Sequence, residues 1–297
     1  MNSPSFLQRL WRRRRSRIGL ALGGGGARGL AHLGVLHVLE EQGIAIELIV
    51  GTSMGAIVGG AYAQEPDAPA LTARIIEYLK SREEEEERAA RRVLRMPSGR
   101  LSRWANSLLQ YYYLTRDVQR SLLEEGPLQR MISALLRDEP IEQAKIPFAA
   151  VAVDLLAGEV VVLDHGPIRA AVEASAAIPG VFPPVSLDER LLVDGGVSSL
   201  VPVEEARQQG ADVVIAVDVG EEFERARPPE RGVDLLFRAD EIARAQLNRL
   251  HLRGADVVIR PQVGDIQWFE FAHYRELIAC GAEAVREALP QLKRVAR

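Results

Sequence analysis

Short apolar runs alternate with longer amphipathic stretches along most of the chain. The period of the apolar positions predicts strands over residues 17–22, 46–50, 146–153, 158–164, 190–194 and 211–219. It predicts helices over residues 27–42, 56–64, 168–176, 233–250 and 273–293, and a charge-rich helical region over 68–137 that is interrupted at 96–100. Strands that are separated by helices are typical of an α/β fold, in which helices cover both faces of a parallel sheet.

The composition indicates a folded protein that needs no disulfide. The chain has 297 residues, of which 47% are apolar, enough for the core of one large α/β domain. Its single cysteine, Cys280, cannot form an internal disulfide and excludes a cysteine-rich zinc site. No apolar run reaches the ~18 residues of a transmembrane helix. We therefore expect a cytoplasmic protein.

Positive charge is concentrated at the start of the chain. Residues 1–17 contain six arginines and no acidic residue, so this stretch carries +6 and the rest of the chain −10, for a total of −4. Four apolar residues of this stretch would share one helical face beside the arginines: Phe6, Leu7, Leu10 and Trp11. Such a face favours peripheral contact with an anionic membrane. A solvated, disordered tail explains the same composition equally well.

The basic start does not resemble an export signal. The apolar run that follows it, residues 18–22, ends after five residues at a run of glycines. An export signal needs an apolar region of ~7–15 residues. The chain also lacks internal repeats. These features predict a basic tail over residues 1–16 and a single domain over residues 17–297, whose motifs lie within 17–220.

A glycine-rich motif, "GGGGARG", occupies Gly23–Gly29 between the first strand and the first helix. From Gly24 onward it satisfies the G-x-G-x-x-G pattern of dinucleotide sites. Such a site needs an acidic residue at the end of the next strand, but that strand ends "LIVGTS" and its acid, Glu47, stands at its start. The pattern therefore disfavours a nucleotide. Free backbone N–H groups at a helix start suit any anion, including an oxyanion.

The second motif, "GTSMG", places Ser53 between Gly51 and Gly55 at a predicted strand-to-helix turn. This is the pattern of a nucleophile elbow, where a Cβ on either glycine would clash. Ser53 could instead simply cap the following helix. The α/β-hydrolases that use this elbow also need a downstream histidine. None of the five histidines lies in a motif typical of a catalytic base, and we expect them to be surface or helix residues: His32, His37, His165, His251 and His273.

The third motif, "DGG", begins with Asp194 at the end of an apolar strand. The carboxyl edge of an α/β sheet is where such folds bind ligands, so this carboxylate is a candidate functional group. An aspartate followed by glycine is also common in ordinary Asx turns. The motif alone leaves both interpretations open.

The three motifs in this order, with "ASAAIPGVFPPV" over residues 174–185, resemble the patatin-like phospholipase family. The similarity is to its bacterial branch and to the esterase domain of neuropathy target esterase, and it covers residues 17–220. The resemblance implies a three-layer α/β/α fold with a mainly parallel central sheet. It also implies an esterase that cleaves acyl esters of phospholipids, lysophospholipids or neutral lipids.

The resemblance also implies a role for each motif. Ser53 would be the nucleophile and Asp194 its proton acceptor, without a histidine. Gly24, Gly25 and Gly26 would form the oxyanion loop. Arg28 and Gly29 belong to the same motif, and Arg28 could contact a phosphate or brace the loop. No metal, cofactor or nucleic acid is implied; the expected partner is a lipid substrate.

Two other functions remain compatible with these motifs: an acyltransferase that uses the same dyad, and a catalytically idle, membrane-associated regulatory protein. The chain also departs from the family pattern, with Ser199 and Leu200 where an asparagine and a proline are common and Val153 where a threonine often precedes Asp154. We expect Asp154 to be structural. The apolar and aromatic stretch over 101–114 is explained either by a helix packed on the core or by a lid that faces lipid.

Overall fold

The computed structural model describes residues 16–94, 126–220 and 232–295. Three of the segments singled out above lie wholly or partly outside these ranges: residues 1–15 of the predicted basic tail, residues 95–125 of the charge-rich helical region with its interruption at 96–100, and the apolar stretch over 101–114. Within the ranges that the structure describes, no helix is long and apolar enough to cross a membrane.

Eight strands form one sheet in the described parts of the chain. They are β1 (Ile18–Leu22), β2 (Leu48–Thr52), β3 (Phe148–Asp154), β4 (Glu159–Leu163), β5 (Val185–Leu187), β6 (Arg190–Asp194), β7 (Val213–Val217) and β8 (Val257–Ile259). Their order is β5-β6-β3-β2-β1-β7-β8, with β4 also paired to β3. Neighbouring strands in the spatial run β3-β2-β1-β7-β8 are parallel. Strands β4 and β6 each pair with β3 in the antiparallel sense. The predicted mainly parallel sheet is confirmed.

The same parts of the chain contain eight α-helices: α1 (Ala31–Glu41), α2 (Met54–Gln64), α3 (Ala68–Leu94), α4 (Pro127–Leu135), α5 (Ile168–Ser175), α6 (Val203–Gln208), α7 (Gly232–His251) and α8 (Tyr274–Val295). The predicted first helix is split, because residues Gly26–Leu30 form a separate 3-10 turn before α1. Helix α6 and strands β5 and β8 have no counterpart in the predicted elements. Six and three residues are too few to show a periodic pattern.

Helices cover both faces of the sheet, as the predicted three-layer fold requires. Successive strand residues alternate between two apolar clusters, as the period of a strand dictates. One cluster, which includes Leu20, Ile49, Ala150 and Ile215, packs against residues of α1, α2, α5 and α8. The other, which includes Ala21, Val50, Val151 and Ala216, packs against α6 and Leu252.

Strand β3 brings two chain segments together along one of its edges. Strand β2 pairs with its first half, with Thr52 opposite Val151. Strand β6 pairs with its second half, with Asp194 opposite Ala152. Because β4 pairs with residues 150–154 along the opposite edge, β2 and β6 share the same edge. The last residues of β2 and β6 therefore meet end to end.

Helices α1 and α8 cross at very short range because each has a glycine at the crossing. A Cβ atom on Gly34 would lie 2.6 Å from the backbone nitrogen of Ala282. A Cβ atom on Gly281 would lie 2.8 Å from the carbonyl carbon of Ala31. Since both neighbours are backbone atoms, they cannot rotate away, and the two helices are held at a distance that admits only glycine.

We expect Gly281→Val to lower the free energy of unfolding by about 3 kcal/mol, because the added side chain forces α8 away from α1. Urea denaturation monitored by circular dichroism measures the change. Ala279→Val is the matched control, since Ala279 is exposed on the same helix and should lose less than about 1 kcal/mol. Equal losses in the two variants would contradict this packing.

Candidate active site

Ser53 lies on the sharp turn between β2 and α2. Its backbone has φ 55° and ψ −123°, a left-handed conformation that is strained for a residue with a side chain. The residue is 6% exposed. Its hydroxyl forms no capping hydrogen bond to α2, so the interpretation of Ser53 as a simple helix cap is wrong. The turn instead places the hydroxyl at the carboxyl edge of the sheet.

The glycines on either side of Ser53 make the turn possible. A Cβ atom on Gly51 would lie 2.6 Å from Ala56 Cα, so a side chain there would push α2 away from β2. A Cβ atom on Gly55 would lie 2.6 Å from the carbonyl carbon of Leu22 and 2.8 Å from the oxygen of Gly23. A Cβ atom on either glycine would therefore clash, as the sequence pattern predicts.

A buried serine on α5 fixes the backbone of the turn. The N–H of Ser53 donates to Ser175 Oγ at 3.0 Å. The Ser175 hydroxyl donates in turn to the carbonyl oxygen of Val151 on β3 at 2.6 Å. Ser175 therefore links the strained turn to the strand that also carries β6. Sequence analysis missed this residue, although it stands in the "ASAAIPG" stretch that carries part of the resemblance.

Asp194 ends β6 and is 5% exposed. Its Oδ1 accepts the N–H of Gly196 at 2.7 Å, which is the Asx-type turn that the sequence allows. Because β2 and β6 meet end to end, the structure brings Ser53 and Asp194, the two predicted residues, together. Burial raises the pKa of Asp194 to about 6, against the opposing effects of hydrogen bonds from Ser53 and Gly196 and of the positive charge of Arg244.

The glycine loop lies directly against Ser53. A Cβ atom on Gly24 would lie 3.1 Å from Ser53 Cβ, so the loop reaches the serine only because Gly24 has no side chain. The N–H of Gly24 donates to the carbonyl oxygen of Leu200 at 2.9 Å and is therefore occupied. Among the described residues, no group accepts a hydrogen bond from the N–H of Gly25 or Gly26. Of the three glycines predicted to form an oxyanion loop, Gly24 therefore has an occupied N–H, whereas the N–H groups of Gly25 and Gly26 have no acceptor among the described residues.

His32 forms a hydrogen bond to the peptide group that joins Gly23 to Gly24. It lies fully buried on α1, and its Nε2 is 2.8 Å from the carbonyl oxygen of Gly23. Burial lowers the pKa of His32 to about 4, so the ring is neutral at pH 7 and donates its Nε2–H to this oxygen. The peptide between Gly23 and Gly24 is thus hydrogen-bonded at both ends, by His32 and by Leu200.

His32 is the second residue that the sequence did not single out. The expectation of a helix residue is right for its position on α1, but not for its contact with the loop. Only the fold brings a ring on the first turn of a helix back onto a glycine nine positions earlier. In the part of the chain that the structure describes, no histidine hydrogen-bonds to Ser53 or Asp194.

The segment after Asp194 departs from the family pattern but still connects the motifs. The Thr52 hydroxyl donates to the carbonyl oxygen of Ser199 at 2.9 Å. A methyl carbon of Leu200 would lie 3.2 Å from a Cβ on Gly24 and also 3.2 Å from one on Gly196, so its side chain fills the space between both motifs. Asp154, by contrast, is buried with Oδ1 accepting the N–H of Leu156 at 2.9 Å, which supports a structural role.

The rest of the glycine motif braces the loop. The Nε of Arg28 donates to the carbonyl oxygen of Gly25 at 3.5 Å. A Cβ atom on Gly29 would lie 2.6 Å from Met54 Cβ, so the 3-10 turn packs against the residue that follows the serine. Within the described ranges, no cluster of three or more histidine, cysteine or acidic side chains could hold a metal ion.

We expect His32→Leu to lower the free energy of unfolding at pH 7 by ~1–3 kcal/mol, because it leaves the Gly23 carbonyl buried without a donor. The loss should shrink at pH 5. The folded-state pKa of His32 is about 4, whereas an unfolded histidine titrates near 6.5, so wild type loses stability as the pH falls through this window. The variant has no imidazole at position 32, so it does not lose this pH-dependent stability.

Urea denaturation at pH 7 and pH 5 measures both effects. His37→Leu is the control, because His37 is only half-buried and its Nε2 bonds to the Thr72 hydroxyl rather than to the glycine loop. A His32→Leu difference that stays constant between the two pH values would contradict a buried neutral ring.

Comparison with known proteins confirms the resemblance. The profile of the family described as patatin-like phospholipase matches residues 20–207. An uncharacterized NTE family protein of Mycobacterium tuberculosis is 40% identical over 223 residues, which cover 73% of this chain and 53% of the relative. Human patatin-like phospholipase domain-containing protein 6 is 34% identical over 209 residues, which cover 70% of this chain and 14% of that protein.

Among solved structures, VipD from Legionella pneumophila has a similar fold. Its TM-score is 0.51 at 15% sequence identity, and the match covers 94% of this chain and 67% of VipD. The chain spans about half the length of the mycobacterial relative it matches. Because the family profile covers well over half of the sequence and the three motifs converge in the structure, this chain belongs to the patatin-like phospholipase family.

Proposed function

We propose that the chain is a serine esterase that cleaves acyl esters of lipids, with phospholipids and lysophospholipids as its substrate class. The observation that carries this proposal is the register of β2 and β6 on β3, which sets Ser53 beside the buried carboxylate of Asp194. Family membership supports the lipid ester as substrate, since the matching profile describes a phospholipase. The proposed catalytic pair is Ser53 and Asp194, without histidine.

Asp194 would act as the general base. Its pKa of about 6 lies close below neutral pH, so the carboxylate is ionised at pH 7 and is still a stronger base than an exposed aspartate. As Ser53 Oγ attacks the carbonyl carbon of the ester, its proton passes to Asp194. A bond forms between Oγ and the acyl carbon, and the carbonyl oxygen becomes the oxyanion of a tetrahedral intermediate.

The glycine loop would stabilise that oxyanion. The N–H groups of Gly25 and Gly26 are the unoccupied donors of the loop, and the N–H of Met54 stands at the positive end of α2. Donors fixed in advance are worth ~10²–10³ in rate each. His32 and Leu200 fix the preceding peptide group, so the loop does not need to reorganise during the reaction.

The second half of the reaction would reverse the proton transfers. Asp194 gives its proton to the leaving alkoxide, and the acyl group remains on Ser53 as an ester. Asp194 then takes a proton from water, whose hydroxide attacks the acyl carbon, and the collapse of the second intermediate returns that proton to Ser53 Oγ. The products are a fatty acid and the deacylated lipid, and the enzyme is regenerated.

We expect Asp194→Asn to lower kcat/KM for a short-chain, water-soluble ester by ~10³-fold or more, since the hydroxyl loses its proton acceptor. In wild type, kcat/KM should fall about tenfold per pH unit below the pKa of Asp194, about 6, because the protonated carboxyl cannot accept a proton. Initial rates between pH 4.5 and pH 8 measure both effects.

Asp154→Asn is the matched control, because Asp154 is an equally buried aspartate at the end of the neighbouring strand. It should keep most of the activity and the same pH profile. An active Asp194→Asn variant, or a wild-type rate that stays flat down to pH 4.5, would contradict the role of Asp194 as the general base.

A panel of lipids assayed with wild type and Ser53→Ala identifies the head group.

A further inference from the structure

Exposed apolar side chains occur in adjacent pairs on two loops beside the candidate site. Trp268 and Phe269 precede α8 and are 38% and 53% exposed. Leu155 and Leu156 form the turn between β3 and β4 and are 49% and 73% exposed. Single apolar residues on a surface are ordinary, but pairs that project from loops around one site indicate an interaction surface.

The aromatic pair borders the proposed oxyanion loop. The carbonyl oxygen of Trp268 accepts the N–H of Ala27 at 2.6 Å. A Cβ atom on Gly26 would lie 3.1 Å from Trp268 Cβ, and Gly24 of the same loop is in contact with Ser53. The two rings pack edge to face, with centroids 5.6 Å apart and planes at 89°. This contact keeps both rings at the rim of the site.

The leucine pair borders the site from the other side. Ala152 of β3 lies opposite Asp194, and β3 ends two residues later at Asp154, so the turn begins at Leu155, three residues beyond Ala152. At about 3.3 Å per residue, Leu155 and Leu156 lie ~10 Å beyond the level of Asp194, in the outward direction. Strands β1, β2 and β3 are neighbours, so the leucine and aromatic pairs flank the edge that carries Ser53.

The charged side chains beside the two pairs do not form a basic patch. Asp265 and Glu270 are the charged residues between positions 262 and 271, around the aromatic pair. Beside the leucine turn, the exposed side chains of Glu159 and Arg190 have opposite charges; Arg190 precedes Leu191, whose carbonyl oxygen accepts the N–H of Leu155. These charges offer no net attraction for an anionic surface, so a partner is held by apolar contact, and indole and phenyl rings partition favourably into the head-group region of a bilayer.

We propose that these two pairs, the aromatic pair and the leucine pair, dock the site edge onto the surface of an uncharged phospholipid bilayer. This rests on the proposed function, because Ser53 is buried and its insoluble substrate must pass from a lipid surface into the site. Both pairs enter the head-group region, and an acyl ester reaches Ser53 without crossing water. The surface is separate from any contact that the basic tail makes with anionic lipid.

Flotation of the full-length protein with phosphatidylcholine vesicles tests the proposal. The Ser53→Ala background prevents hydrolysis during the measurement, and a zwitterionic lipid removes electrostatic attraction to the tail. In that background, Trp268→Ser/Phe269→Ser and Leu155→Ser/Leu156→Ser should each reduce the partition coefficient about tenfold or more. Far-ultraviolet circular dichroism confirms that each variant is folded.

Leu250→Ser is the matched control. Leu250 is 54% exposed, like Phe269, but it lies at the end of α7 just before β8 begins, at the opposite edge of the sheet. Its partition coefficient should stay within about twofold of the parent, since the lost area is not part of the docking surface. An equal loss in Leu250→Ser and in the pair variants would overturn the proposal.

Three further outcomes overturn the proposal: a parent protein that does not float with the vesicles, pair variants that float as the parent does, and pair variants whose oligomeric state changes from dimer to monomer while their flotation is unchanged.

With Ser53 intact, Leu155→Ser/Leu156→Ser should hydrolyse vesicle lipid more slowly but a soluble ester at the wild-type rate. If wild type hydrolyses neither, the proposed function fails, while the flotation result still decides whether the surface docks on lipid.

Discussion

The shared edge of β3 is the constraint on which the site depends. Strands β2 and β6 divide that edge between them, so the residue after Thr52 and the last residue of β6 come to lie side by side. Backbone pairing, not a contact between two flexible side chains, thus brings together segments that are far apart in the sequence. A slip of one residue in β6 would turn Asp194 to the opposite face of the sheet and remove it from Ser53.

Around that junction the structure holds several groups in unfavourable states. Ser53 has a strained backbone, Asp194 is a buried carboxylate with a raised pKa, and two glycine N–H groups in the described loop have no protein acceptor. Neighbouring groups offset these costs: Ser175 holds the turn, and His32 holds the loop. The free energy of the surrounding fold maintains this arrangement, and the proposed mechanism uses it to stabilise the negative charge of a reacting ester.

The sequence predicted the features that have local causes. Strand positions follow from apolar periodicity, and Gly51 and Gly55 follow from the space that a sharp turn requires. The roles of His32 and Leu200 could not be predicted, because each acts on the glycine loop through a tertiary contact. The interaction of Ser53 with Asp194 was inferred from family resemblance alone, since the register of β6 on β3 leaves no trace in either segment. The pairs of exposed apolar residues became meaningful only once their loops were placed around one site.

The rate of covalent labelling by a fluorophosphonate shows whether Asp194 activates Ser53 without a histidine. Intact-mass spectrometry follows the addition of one adduct to wild type, and a peptide map locates it. We expect a single adduct on Ser53 and a labelling rate that falls ~10²-fold or more in Asp194→Asn, because attack on phosphorus needs the same proton acceptor. Labelling of Asp194→Asn at the wild-type rate, or an adduct on another residue, would contradict it.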